Sequence, residues 1–296
     1  MAFEIQAHRG ARALFPENTI PAFCCAASLG ARVVELDLMV SKDHQIVVSH
    51  DPWLPAPPRS EEQREPLKGD CGRSMLYAMP YADIALFDCA RPHPSFPQQA
   101  RMVTCKPLLS TVFREVDAFM ADAGLGGSML YNLEIKSWPD KDGLLHPPPA
   151  QYAELVVQLV EVAALSDRVR IQSFDERVVR EAWKLNPELC YGLLIDYDHG
   201  HGNHHAGAAG AVRRLLSRAG FLPAYLNPHH SLVDRELTDL LHERGIRMIP
   251  WTVNDPGEML AMHHIGADGI ITDYPDRAIA LFSRNASSFS GESGDH

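Results

Sequence analysis

The stretch "RVVELDLMV" at residues 32–40 combines a strand-like apolar run with two acidic residues. Successive side chains of an extended strand point to opposite faces, which places Glu35 and Asp37 side by side. The opposite face is apolar and consists of Val34, Leu36 and Leu38. Two acidic residues at this spacing usually mark the solvated face of an edge strand, so this pair alone does not identify a functional site.

The run "YNLEIKS" at residues 131–137 supplies that observation. It repeats the alternation, with Asn132, Glu134 and Lys136 on one face and Leu133 and Ile135 on the other. Parallel strands that are buried on both faces normally read as continuous apolar runs. Polar faces on two such strands therefore predict an interior that opens at the carboxyl-terminal ends of the strands.

Apolar runs rich in β-branched residues alternate with helical patterns along the whole chain. The strand-like runs are "FEIQA", "RVVELDLMV", "MLYNLEI", "RVRIQSF", "LCYGLLI", "LPAYLN", "IRMIPWTV" and "DGIIT", with "QIVVSH" as an extra run after a short turn. Helical patterns lie near 19–29, 108–122, 151–164, 175–186, 207–219, 233–244, 256–264 and 275–283. Eight parallel βα units predict an α/β fold, a (β/α)8 TIM barrel, with a doubly wound open sheet as the alternative.

Residues 1–284 are expected to form a single TIM-barrel catalytic domain. Residues 52–107 interrupt the alternation and hold 10 of the 22 prolines, which remove backbone donors and fix φ. We interpret this segment as a Pro-rich insertion after the second strand, on the rim of the barrel, with one short helix near "YADIALF". The small, polar residues 285–296 are expected to form a disordered tail.

The amino-acid composition argues against some classes of function. A formal net charge of −11, from 27 basic and 38 acidic residues, disfavours a nucleic-acid partner and leaves small phosphorylated ligands open. The sequence as given has no signal peptide and no integral membrane segment, and its six cysteines form no regular framework, so a cytoplasmic protein with reduced thiols is expected. A homodimer is left open.

Three carboxylates are expected to converge at the open end of the barrel: Glu35, Asp37 and Glu134. They would repel one another and be costly to desolvate unless a cation lay among them. We expect no other charge compensation of sufficient strength nearby. Oxygen ligands of this kind suit a hard divalent cation, Mg²⁺ or Ca²⁺.

Two histidines, His8 and His50, end strand-like runs at the same rim. One histidine at a strand end is usually structural, but two beside a carboxylate cluster make an acid/base pair plausible, because imidazole titrates near neutral pH. Arg9 and Lys136 add positive charge there, and guanidinium and ammonium groups both bind phosphate oxygens.

The chain resembles the glycerophosphodiester phosphodiesterase family in seven segments that occur in the family's order. They are "AHRG" with "PENT" at 7–19, "ELD" at 35–37, "SHDP" at 49–52, "NLEIK" at 132–136, "QSF" at 172–174, "WTVN" at 251–254 and "GADGIITDYP" at 266–275. The resemblance implies a (β/α)8 barrel that hydrolyses glycerophosphodiesters to glycerol phosphate and an alcohol.

The resemblance also implies roles for individual residues. Glu35, Asp37 and Glu134 would hold the divalent metal, and His8 and His50 would act as general acid and base. Arg9 and Lys136 would contact the phosphate. Alternatives are a phosphodiesterase acting on lysophospholipids or other phospholipids, and a catalytically silent phosphoester-binding barrel. The silent barrel would be expected to lack one of these seven residues, and all are present.

Four further residues carry separate expectations. Trp251 and Phe174 would line the substrate pocket, with a core position as the alternative for each. Asn18 is expected to cap the first helix. His44 replaces a glycine that is usual in the family's turn at 42–44, and we expect that turn not to need positive φ.

Overall fold

The computed structural model describes residues 3–54, 74–90, 93–196 and 207–289, with backbone alone from 284 onward. In its first third, β1 (Glu4–His8) is followed by α1 (Ile20–Leu29), β2 (Val33–Val40) and β3 (Ile46–Val48). The insertion contributes β4 (Trp53–Leu54), β5 (Ser74–Met75) and α2 (Tyr81–Ile84). The short helix predicted near "YADIALF" is therefore confirmed.

Helices and strands alternate through the remainder of the chain. They are α3 (Leu109–Asp122), β6 (Leu130–Ile135), α4 (Pro149–Val162), β7 (Val169–Ser173), α5 (Glu176–Leu185), β8 (Cys190–Ile195), α6 (Gly207–Ala219), β9 (Tyr225–Pro228), α7 (Arg235–His242), β10 (Arg247–Met248), α8 (Pro256–Ile265), β11 (Gly269–Thr272) and α9 (Pro275–Phe289). Within the described ranges no helix is both long and apolar enough to span a membrane.

A nearly closed barrel of parallel strands confirms the predicted fold class. Neighbouring strands pair in the order β10-β9-β8-β7-β6-β2-β1-β11, and β3 joins β2 in the antiparallel sense. The seam between β10 and β11 is bridged by backbone hydrogen bonds, including one from Val253 N to the Ile271 carbonyl at 2.9 Å. Apolar side chains that face outward from the strands pack under the surrounding helices in one large cluster.

Register places the polar side chains of the barrel on its inner face. Asp37 of β2 lies opposite Glu134 of β6, and Glu35 lies opposite both His8 of β1 and Asn132 of β6. Every residue of β2 is buried, so β2 is a central strand and not a solvated edge. This arrangement confirms the inward polar faces inferred from the alternation.

The insertion packs on the barrel through its own small apolar cluster. Leu54, Leu76 and Ile84 are fully buried against Met39 and Val47. Residues 55–73 and 91–92 of the insertion lie outside the described residues, as do residues 290–296 of the predicted tail. α9 itself continues past residue 284 to Phe289.

Two local expectations are wrong because the sequence does not reveal φ. Asn18 does not cap α1: Thr19 is the N-cap and accepts a hydrogen bond from Ala22 N, whereas Asn18 adopts a φ of 57° and points toward β2. His44 has a φ of 59°, so the turn between β2 and β3 does place its third residue in the left-handed region. A side chain is disfavoured there and glycine is not.

We expect His44→Gly to raise the free energy of unfolding by about 1 kcal/mol, because glycine adopts the left-handed conformation without steric cost. Urea denaturation of the purified protein measures the change. Lys42→Gly in the same turn is the control; Lys42 does not have positive φ, so this substitution is expected to destabilise. A His44→Gly protein that unfolds at the wild-type urea concentration or below would contradict the argument.

Candidate active site

Three buried carboxylates meet at the carboxyl-terminal ends of β2 and β6. One oxygen from each of Glu35, Asp37 and Glu134 lies within 4.8 Å of the other two. The side chains are almost completely removed from solvent, with Asp37 the deepest. The convergence predicted from the two alternating strands is therefore present in the structure.

Two cations of the chain itself already lie among these carboxylates. The Lys136 ammonium is 2.9 Å from Asp37 Oδ1 and 2.6 Å from Glu134 Oε1. Arg9 Nε is 3.1 Å from Asp37 Oδ2. Arg9 and Lys136, which were expected to add positive charge at the rim, thus project into the carboxylate cluster itself.

The compensation is unequal between the carboxyl groups. Although burial opposes ionisation, Lys136 and Arg9 hold the pKa of Asp37 well below its usual range. Burial raises the pKa of Glu35, and the negative charges of Asp37 and Glu134 raise it further. Glu35 accepts a hydrogen bond only from the backbone N–H of Arg9, at 3.2 Å, among the bonds formed by described residues. Glu35 is thus the carboxyl group with the weakest cationic partner.

His8 is held by a carboxylate that sequence reasoning missed. Its Nδ1 lies 2.7 Å from Asp273 Oδ1, at the end of β11, while its Nε2 lies 3.9 Å from Glu35 Oε2. With Asp273 ionised, the proton belongs on Nδ1, which leaves Nε2 to face the cluster. Burial lowers the pKa of His8, and Asp273 offsets part of that effect.

Asp273 is itself fixed by neighbouring groups. Asn254 Nδ2 donates to its Oδ2 at 2.8 Å, and Asn254 Oδ1 accepts from the Asp273 backbone N–H at 2.9 Å. Although burial opposes ionisation, His8 and Arg12 hold the pKa of Asp273 well below its usual range. The signal for Asp273 was its place directly after the last strand, within "GADGIITDYP".

His50 differs from His8 in its surroundings. Its side chain is 36% exposed, and its Nδ1 lies 2.8 Å from the carboxylate of the adjacent Asp51. His50 and His8 line one cavity of about 380 Å³. The cavity thus has one buried and one half-exposed imidazole in its wall.

The same cavity collects most of the residues singled out from the sequence. Its lining includes His8, Arg9, Glu35, His50, Glu134, Lys136, Phe174 and Trp251, and the fully buried Asp37 contacts Arg9 and Lys136 within that wall. Phe174 and Trp251 stand edge to face with ring centroids 5.5 Å apart. Trp251 Nε1 donates to the Asn227 carbonyl at 2.9 Å, which orients the indole. Neither aromatic residue is fully buried, so both present surface to the cavity.

The loop between β1 and α1 is tied to the carboxylate cluster by two residues missed as site components. Asn18 Nδ2 donates to Asp37 Oδ2 at 2.8 Å, and Asn18 Oδ1 accepts from the Asp37 backbone N–H at 3.2 Å. Glu17 pairs with Arg9 at 3.0 Å and with Arg12 at 2.6 Å. Both residues belong to the "PENT" segment at residues 16–19.

Comparison with known proteins gives one consistent result. The model of the glycerophosphoryl diester phosphodiesterase family matches residues 8–277. A glycerophosphodiester phosphodiesterase of Caldanaerobacter subterraneus is 28% identical over 275 residues, which cover 93% of this chain and 96% of that protein.

Solved structures share the barrel. The crystal structure of a Silicibacter pomeroyi protein described as a glycerophosphoryl diester phosphodiesterase is 25% identical in sequence and superposes with a TM-score of 0.79. The alignment covers 96% of this chain and 94% of that protein. An Oleispira antarctica phosphodiesterase, solved in complex with the product sn-glycerol-3-phosphate, is 22% identical with a TM-score of 0.71. The alignment covers 95% of this chain and 96% of that one.

We expect Asn18→Ala to lower the free energy of unfolding by about 2 kcal/mol, because it removes both hydrogen bonds to the buried Asp37. Asn186→Ala serves as the control, since the Asn186 side chain bonds Glu161 and Glu188 near the surface and should cost much less. Chemical denaturation of the two variants measures both values. Equal costs would show that the Asn18–Asp37 pair contributes no more than a surface contact.

Proposed function

Because the chain belongs to the glycerophosphoryl diester phosphodiesterase family, we propose that it hydrolyses glycerophosphodiesters to glycerol phosphate and an alcohol. The observation that carries this proposal is the single cavity in which His8, His50, Arg9 and Lys136 surround a cluster of buried carboxylates. A phosphodiester has the charge that the two cations bind. It also has the leaving oxygen that an imidazole can protonate.

The donor set fits a hard divalent cation, Mg²⁺ or Ca²⁺. Glu35, Asp37 and Glu134 offer three carboxylate oxygens, the ligands such ions prefer, and Glu35 has no strong cationic partner of its own. Arg9 and Lys136 pair with Asp37 and Glu134 and leave Glu35 to be compensated by a bound cation. When bound, the cation would neutralise phosphate charge and polarise the nucleophile.

Arg9 and Lys136 would divide their contacts between the carboxylates and the substrate. Lys136 pairs with Asp37 and Glu134. It also lines the cavity, so its ammonium would be available to a phosphate oxygen of the substrate. Arg9, held by Glu17 and Asp37, presents its remaining N–H groups to the same phosphate.

His8 and His50 would share the proton transfers. One imidazole removes a proton from the nucleophile, which is water or a hydroxyl of the substrate, and the other protonates the departing alcohol. Asp273 is a positioning residue in this scheme, because it orients His8 without lining the first cavity. Phe174 and Trp251 would pack against the carbon skeleton of the substrate and keep water from the reacting phosphate.

We expect activity to require Mg²⁺ or Ca²⁺ and to be lost in excess EDTA. Removing a residue that only orients a metal ligand typically weakens metal binding by roughly 10-fold or more. Glu134→Gln should weaken it by more than about 10-fold, because Glu134 would be a direct ligand. Calorimetric titration with each ion measures the affinity, and Glu115→Gln on the outer surface of α3 is the control. Full turnover in EDTA, or unchanged affinity in Glu134→Gln, would exclude the metal site.

We expect His8→Ala and His50→Ala each to lower kcat by about 10²-fold or more, the usual effect of removing a positioned acid or base. Metal affinity should be largely retained in both variants, which separates proton transfer from metal binding. His264→Ala, at an exposed position on α8, is the control. Steady-state assays on a panel of glycerophosphodiesters give the rates; wild-type turnover by either active-site variant would remove that histidine from the mechanism.

A further inference from the structure

A second cavity, of about 510 Å³, opens beside the first at the same end of the barrel. It lies between the loops that follow β1, β10 and β11 and is covered by residues of the insertion. Its wall includes Arg12, His93, Phe96, Asp273, Tyr274 and Arg277. The carboxylate cluster faces the first cavity, so it does not explain what the second cavity binds.

The two cavities adjoin at the catalytic histidine. Arg12 lines both of them. Asp273 lines the second cavity, and its carboxylate binds His8, which lines the first. The two cavities therefore share a wall formed by His8, Asp273 and Arg12.

The insertion is anchored where it forms this wall. Gln99 Nε2 donates to the carbonyls of Arg12 and Phe15 at 2.8 and 3.0 Å, and the Ala100 N–H donates to the Leu14 carbonyl at 2.7 Å. Gln99 Oε1 accepts from the His93 N–H at 3.0 Å. The loop after β1 and the segment 93–100 thus form one hydrogen-bonded unit around the cavity.

The aromatic faces of the second cavity are occupied by guanidinium groups. The Arg12 guanidinium lies 5.1 Å from the centre of the Phe96 ring, and that of Arg277 lies 3.8 Å from the centre of the Tyr274 ring. The two rings stand edge to face, 6.0 Å apart. An ammonium ligand needs open aromatic faces, which here already carry positive charge.

The carboxylates of this wall are engaged as well. Asp273 accepts hydrogen bonds from His8 and Asn254 and forms an ion pair with Arg12 at 3.5 Å. Asp255 Oδ1 caps α8 by accepting from the Gly257 and Glu258 N–H groups. Arg277 is exposed and forms no ion pair within the described part of the chain. The cavity therefore offers the Arg277 guanidinium to a ligand, whereas Asp273 is engaged by His8, Asn254 and Arg12 and Asp255 is engaged at the N-terminus of α8.

We propose that the second cavity binds the leaving alcohol of the diester and selects uncharged or anionic alcohols over cationic ones. The inference rests on the proposed function, since it assigns the two arms of the substrate to two cavities. The glycerol arm would pack on Phe174 and Trp251, and the leaving alcohol would lie in the cavity lined by Phe96, Tyr274 and Arg277. Arg277 determines specificity by repelling an ammonium group and by donating to hydroxyl or acidic groups.

The test compares glycerophosphoglycerol, whose leaving alcohol is uncharged, with glycerophosphocholine, whose leaving alcohol is cationic. The ratio of their kcat/KM values is measured for the wild type, Arg277→Gln and Arg277→Glu. Arg114→Gln on the outer surface of α3 controls for the change in net charge. We expect the preference for glycerophosphoglycerol to fall about 3-fold in Arg277→Gln and about 10-fold in Arg277→Glu. The first substitution removes one positive charge and the second changes the charge by two, at a side chain that solvent partly screens.

Binding separates a failure of this inference from a failure of the proposed function. Dissociation constants of both diesters are measured by calorimetry for the same proteins, and the same order of changes is expected. If the wild type binds the diesters with this preference but hydrolyses neither, the proposed reaction fails and the cavity assignment stands. Ratios that are unchanged in both Arg277 variants, or that change equally in Arg114→Gln, would overturn the assignment.

Discussion

The ionisation of Asp37 inside the barrel is the constraint on which the rest of the site depends. A buried carboxylate is tolerated only when it is paired and hydrogen-bonded. Asp37 meets this condition through Lys136, Arg9 and Asn18, which come from β6 and from the loop after β1. The same contacts that neutralise the charge therefore join three separate segments at the carboxyl-terminal end of the barrel.

The convergence of these segments is accompanied by unusual backbone conformations in the loop after β1. Arg9 and Asn18 both adopt positive φ, at 53° and 57°, which non-glycine residues rarely do. Gly10 follows with a φ of 83°, and a Cβ there would lie 2.7 Å from the Ala22 backbone. Unfavourable backbone conformations of this kind persist where surrounding contacts hold them, and they cluster at functional sites. In this loop the holding contacts are those to Asp37 and Glu17.

Periodicity in the sequence was enough to predict the barrel and the inward faces of its strands. Glu35, Asp37, Glu134 and Lys136 share one face because side chains alternate strictly in a strand, and that rule is local. The role of Asn18 could not be predicted, because it depends on a left-handed φ and on a partner 19 residues away. His8 and Asp273 are 265 residues apart and meet only because the first and last strands close the barrel. The position of Lys136 between two carboxylates depends on side-chain torsions, about which an alternating pattern carries no information.

The carboxylate cluster is proposed to hold a divalent cation while Lys136 contacts the phosphate of the substrate. Anomalous diffraction from crystals grown with Mn²⁺ and glycerol phosphate would locate both groups, since Mn²⁺ accepts the same oxygen ligands as Mg²⁺ and scatters anomalously. We expect a single anomalous peak among Glu35, Asp37 and Glu134, with the Lys136 ammonium against a phosphate oxygen. A peak elsewhere, or a Lys136 ammonium that bridges Asp37 and Glu134 with no ion beside it, would show that the cluster is an internal ion-pair network and not a metal site.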